Sequence, residues 1–157
     1  MALAEIRLVR QEELEQINRL RAQAAALHNQ GRPDIYPPFS PALAAQLAER
    51  LQDPGAELVA AFRQGSAAGY ALVLYREIPS TPHSVGRRVC HIDEFGVDED
   101  CRRQKIGAQL LDFIKARAAE KGFSQIQLNV WGFNQSAIAF YQRMGFEPVR
   151  YFMELQL

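Results

Sequence analysis

The sequence predicts a mixed α/β fold in which helices interrupt a mostly antiparallel sheet. Three observations carry that prediction. Segments at 57–63, 68–75, 87–97 and 124–130 alternate or run apolar, as strands do. Other segments repeat apolar residues at three- and four-residue steps, as amphipathic helices do. They follow one another as β-α-α-β-β-β-α-β-α-β, with one strand–helix–strand unit at 87–130 to supply a parallel neighbour.

Glu5 to Arg10 alternates loosely and suits a first strand. Gln11-Glu12-Glu13-Leu14 opens a helix whose face is Leu14, Ile17, Leu20, Ala24 and Leu27, with Gly31 placed to close it as a left-handed cap. Prolines hold 32–39 extended, and Ile35, Tyr36 and Phe39 make it apolar for a loop. That loop either plugs the core edge or walls a substrate pocket. Ser40-Pro41 is an N-cap followed by proline at the first helical position; the helix runs through Leu43, Leu47 and Leu51 to Asp53-Pro54-Gly55. The strands 57–63 and 68–75 form a hairpin across Gln64-Gly65-Ser66. A proline- and serine-rich loop at 78–86 leads into the central strand 87–97. The next helix puts Ile106, Leu110, Leu111, Ile114 and Ala118 on one face and ends at Gly122. Ser124 to Val130 is a strand, Asn134 caps a helix over 135–144, and Phe146 to Leu157 reads as the last strand.

The length of 157 residues suits one domain, 1–157. Charges cancel, 18 basic against 18 acidic residues, so no global field draws the chain to nucleic acid or membrane. No apolar run approaches the roughly 20 residues that span a bilayer. MALAEIRLVR lacks the long apolar stretch of a signal peptide, which favours the cytoplasm. Cys90 and Cys101 form neither a metal motif nor a disulfide framework, and no metal is expected.

The stretch most suggestive of chemistry is VDEDCRRQKIGAQLL, from Val97 to Leu111. A strand enters a polar turn and a helix begins, so free backbone N–H groups and the positive end of the helix dipole converge on one spot. Such a junction suits a phosphate. Arg102 and Arg103 stand at its mouth, and small residues at Gly107 and Ala108 allow close approach. The glycine pattern is neither a Walker loop nor a dinucleotide fingerprint.

Arg102-x-x-Lys105-x-Gly107-Ala108 resembles the pyrophosphate loop of the GNAT family of N-acetyltransferases. Further along, Leu128-Asn129-Val130, Asn134, Ala137, Phe140-Tyr141 and Met144-Gly145-Phe146 resemble that family's second segment. Together they span 87–150, while the two ends of the chain match only in element order. Lys105 stands where the family usually has its first glycine; a lysine still donates its backbone N–H and brings a cation. The resemblance implies a twisted mixed sheet with acetyl-CoA as co-substrate in a gap between its fourth and fifth strands. It assigns the cofactor to Phe95, Gly96, Val97, Arg102, Arg103, Gln104, Lys105, Ile106, Gly107, Ala108, Asn134, Ala137 and Tyr141. The acceptor would be a primary amine of a small molecule or peptide, attacked in a ternary complex. Family members often dimerise.

Acetyl transfer to an amine needs a neutral nucleophile, a held oxyanion and a proton for the leaving thiolate. Tyr141 is the candidate proton donor, although an amphipathic core role like that of Phe140 would also place a tyrosine there. Glu94, His91 and Asp93 on the central strand are candidate bases, with water alone as the fourth option. Simple alternation puts His91 and Asp93 on one face and Glu94 on the other, and a bulge would change that. Asp93, Glu94 and Asp34 weakly favour a cationic acceptor. Trp131 and Phe133 are placed to line the acceptor side or the cofactor tail. A non-catalytic acyl-CoA sensor is the competing reading; binding without turnover would mark it.

Overall fold

The computed structural model describes residues 3–157. Strand β1 (Glu5–Leu8) leads through a short 3-10 turn into α1 (Leu14–Gly31). Then come α2 (Pro41–Arg50), β2 (Ala56–Arg63), β3 (Ser66–Ile78), β4 (Arg87–Val97), α3 (Ile106–Glu120), β5 (Ile126–Leu128) and α4 (Gln135–Arg143). The sheet order is β1-β2-β3-β4-β5. β1, β2, β3 and β4 pair antiparallel with their neighbours, and the α3 crossover makes β5 parallel to β4.

Local chemistry accounts for the helix ends. Ser40 caps α2 by accepting from the Leu43 N–H at 3.2 Å, with Pro41 at the first helical position. Asn134 caps α4, accepting from the Ala137 N–H at 3.2 Å. Gly122, at φ +81°, ends α3 in the left-handed conformation, and Phe123 N–H reaches the Ala118 carbonyl. Gly31 does not have positive φ. Its missing Cβ serves packing instead: a Cβ there would lie 2.3 Å from the Phe133 ring.

The sheet separates two cores. α1 and α2 press Ile17, Leu20 and Leu47 onto Leu58, Ala60, Phe62, Tyr70 and Leu72. On the other face α3 buries Leu110, Leu111 and Ile114 against Val59, Ala71, Val73, Cys90 and Ile92. Each fully buried Leu or Ile contributes about 1.5–3 kcal/mol, so α3 is held mainly by this face. No helix among the described residues is long and apolar enough to cross a membrane.

Two sequence expectations change at the sheet's open side. β5 pairs with β4 only over Cys90–Ile92 against Ile126–Leu128, fewer residues than the 124–130 alternation suggests. The expected last strand forms no pairing: residues 146–157 carry no regular structure, and Val149, Tyr151, Phe152, Met153, Leu155 and Leu157 are exposed. Among the described residues no strand pairs with them.

Candidate active site

β4 outlasts its partner. Beyond Ile92, β4 stays bonded to β3 as far as Val97 while β5 has already ended at Leu128. Glu94 to Val97 therefore have an unpaired outer edge. Phe95 points into the wedge this opens, its ring centroid 6.0 Å from Tyr141 and 5.7 Å from Phe140 on α4. Burial pushes the Tyr141 phenol up to about 12, so it is neutral at pH 7.

At the far end of β4 the chain makes a 3-10 turn over Glu99–Cys101 and enters α3. Arg103 and Lys105 both adopt left-handed backbone, φ 60° and 62°. The first helical bond runs from Gln109 N–H to Lys105 C=O at 3.0 Å. The N–H groups of Ile106, Gly107 and Ala108 thus have no helical acceptor. A pocket of about 260 Å³ beside them is lined by Leu3, Arg63, Arg103, Gln104, Lys105, Ile106 and Gln109. Three cations face it, one of them Arg63 on β2, which sequence spacing could not supply. Arg102 is exposed and does not line this pocket, unlike its neighbour Arg103. Gly107 lets α4 approach: a Cβ there would lie 3.1 Å from the Phe140 ring.

The candidate bases sit on a bulge. Leu72 pairs with Glu94 and Val73 with Ile92, leaving Asp93 as the extra residue. The bulge overturns simple alternation and turns Glu94 toward α1 and α2, the face opposite Ile92. There Arg21, only 4% exposed, donates to Glu94 through Nε at 2.9 Å and Nη2 at 3.1 Å. Arg50 donates to Glu94 through Nη1 at 3.1 Å and to Asp93 through Nη2. His91 Nε2 lies 4.0 Å from Asp93 Oδ1, and its buried Nδ1 has no hydrogen-bond partner. Asp34 is paired with Arg32. The acids that favoured a cationic acceptor are each neutralised by an arginine.

Besides Arg63, sequence spacing missed two residues of this region, Tyr70 and His28. Tyr70, fully buried on β3, has its phenol pushed well up by burial and by the Glu94 carboxylate, with Tyr141 near enough to add to the effect. His28 on α1 packs against Tyr36 at 5.1 Å and Phe133 at 6.5 Å. Burial holds His28 below its ordinary value, against the pull of Glu94. Trp131 donates its indole N–H to the Tyr36 hydroxyl at 2.9 Å and stacks on Phe133. The 32–39 loop thereby joins the 131–133 loop in one aromatic wall. The only signals in the sequence were the aromatic residues of two loops far apart along the chain.

A mixed sheet wedged open beside a helix N-terminus rich in free amides is the architecture of an acetyltransferase. The chain belongs to the GNAT acetyltransferase family, whose sequence profile, Acetyltransferase (GNAT) family, matches residues 21–146. Among solved structures, a mutant of the BH1408 protein from Bacillus halodurans is 25% identical, with 98% of this chain and 99% of that chain covered and a TM-score of 0.92. Aminoglycoside acetyltransferase AAC(6')-Iy, bound to the bisubstrate analogue CoA-S-monomethyl-acetylneamine, shares the fold at 18% identity, 99% coverage of each chain and TM-score 0.77. The ribosomal-protein-alanine N-acetyltransferase of Brucella melitensis biovar Abortus 2308 does so at 21% identity, 98% and 99% coverage and TM-score 0.73. Among curated proteins no sequence matches.

Proposed function

We propose that this chain transfers the acetyl group of acetyl-CoA to a primary amine of a small molecule or peptide, by direct attack with both bound. One observation carries the reading: the unpaired stretch of β4 runs from the Tyr141 phenol toward a cationic, amide-lined helix N-terminus. A solved structure of the same fold, AAC(6')-Iy, holds the bisubstrate analogue CoA-S-monomethyl-acetylneamine, which supports it.

In this reading Ile106, Gly107 and Ala108 donate backbone N–H bonds to the diphosphate, with Arg63, Arg103 and Lys105 adding charge. The edge of Phe95, Gly96 and Val97 pairs with the pantetheine arm as a strand would, aided by the free amide of Asn134. An N–H on that edge holds the oxyanion. The amine nitrogen attacks the thioester carbon, the C–S bond breaks as the adduct collapses, and Tyr141 gives its proton to the sulfur. The proton shed by the new amide nitrogen restores the phenol. Cys90 is fully buried and its thiol is pushed up to about 11 by burial, which argues against an acetyl-cysteine intermediate.

Three hydrogen bonds from two guanidiniums occupy Glu94, so His28, neutral at pH 7, takes the proton of an arriving ammonium, directly or through water. His28→Gln should then lower kcat roughly tenfold or more at pH 7 while leaving the KM for acetyl-CoA unchanged. It should also flatten the acid limb of the pH profile. The same clamp on Glu94 favours a second reading, an acyl-CoA sensor without turnover. Release of free thiol from acetyl-CoA across a panel of amines separates the two. Thiol release that depends on a primary amine supports the enzyme; tight binding with no release from any amine supports the sensor.

A further inference from the structure

Four rings from three segments meet near Glu94. His28 stands on α1, Tyr36 on the 32–39 loop, and Trp131 and Phe133 on the loop that leads into α4. His28 follows Arg21 by seven residues, two turns, so one helix face carries both. Arg21 holds Glu94. His28 feels the Glu94 carboxylate and packs edge-on to Phe133 at 6.5 Å. The wall thus begins where the arriving ammonium gives up its proton.

Phe133 is the ring with surface to offer. Asn29 fixes the 32–39 loop by donating to the Tyr36 carbonyl at 2.7 Å, and the Trp131 indole N–H is spent on the Tyr36 hydroxyl. Tyr36 meets Trp131 edge-on at 5.9 Å, and the Arg32 guanidinium lies over the indole at 5.0 Å. Phe133 stacks on Trp131 with 18° between the planes, yet stays 39% exposed. Gly31 lies against its ring, and Leu27, one turn back on the same face of α1, is 40% exposed. Grouped exposed apolar side chains beside a polar centre mark a binding surface.

Charge narrows what binds there. Glu94 accepts from Arg21 and Arg50, Asp93 from Arg50, and Asp34 and Glu154 from Arg32. A second ammonium on the acceptor finds none of these four acids free, so its desolvation would go uncompensated. A lone ammonium that is neutralised at His28 needs no such partner.

We propose that the acceptor is a small arylalkyl amine with one positive charge, its ring lying on Phe133 beside Leu27 and its nitrogen at His28. This rests on the acetyltransferase reading above and names the substrate class for it. The 6.5 Å between the His28 and Phe133 rings suits an aromatic ring two or three carbons from the nitrogen.

Two measurements test this. Trp131 is the sole tryptophan of the chain, so its emission reports on the wall. Phenethylamine added to the CoA-saturated protein should change that emission saturably, at concentrations where spermidine and neamine leave it unchanged. In thiol release from acetyl-CoA, kcat/KM for phenethylamine should exceed that for spermidine, neamine and a lysine peptide by about tenfold or more. Phe133→Ala should raise the KM for phenethylamine about tenfold and Leu27→Gln about threefold, each with kcat within a factor of two and circular dichroism reporting that the fold is kept. No saturable emission change with phenethylamine overturns the proposal, whatever the turnover. So does an unchanged KM in both variants. Equal or faster acetylation of the polycations or the peptide also overturns it, and leaves the acetyltransferase reading standing. A saturable change without thiol release from any amine supports the arylalkyl amine site and sinks the turnover reading instead.

Discussion

Tyr141 lies between two roles that a substitution separates. A purely structural ring tolerates loss of its hydroxyl, whereas a proton donor does not. Tyr141→Phe should reduce kcat by about one hundredfold, with acetyl-CoA affinity within a factor of two, as stopped-flow turnover and calorimetry would show. Because burial holds the phenol near 12, the intact enzyme should lose no activity through this group up to pH 10. Lys105 poses the opposite trade. Left-handed backbone costs a non-glycine residue about 1–2 kcal/mol, which this chain tolerates to place a cation at the helix mouth. Lys105→Gly should keep or raise the melting temperature while weakening acetyl-CoA binding about tenfold at low salt, as for a lost charged contact.

Arg21 ties α1 to β4. It donates to Glu94, to Asn18 Oδ1 and to the Leu43 carbonyl, so one buried side chain joins both helices to the bulged strand. Arg21→Met should destabilise the fold by about 3 kcal/mol in urea titration, because it strips a partly buried carboxylate of its main partner. Nothing in RRVCHIDEFGV announces that tie or the bulge beside it. Either register of that strand buries one apolar face, and the residue that slips out is decided by what α1 and α2 offer across the sheet. The start of α3 was legible for the opposite reason: free amides, adjacent cations and a small residue are consecutive in sequence. The C-terminal segment shows a third case. Alternation suggests a strand over 146–157, yet the segment pairs with no strand of the described residues, because alternation alone does not supply a partner edge. The aromatic wall of Tyr36, Trp131 and Phe133 was legible only as scattered rings, since packing brings two distant loops together.

Acid tolerance belongs to the whole molecule. Arg7 holds the Glu13 carboxyl down to about 2, helped by the Arg10 backbone N–H. Glu57 and Asp98 are pushed up by burial but held below their ordinary values by Arg117 with Lys121, and by Arg19, respectively. A carboxyl with a lowered folded value contributes fully above its unfolded value and loses that contribution as pH falls through the folded one. The melting temperature should therefore hold from pH 7 to about 5 and decline below about 4, the ordinary carboxylate range. Glu13→Gln should flatten part of that decline in melts followed by circular dichroism.

The bare backbone at Gly31 has a consequence of a different kind. The end of α1 and the Phe133 ring share space that a single methyl group would fill. Any other amino acid at 31 must push that ring aside and reshape the wall it helps build. The shape of that aromatic wall can thus be retuned from a position that bears no functional group at all.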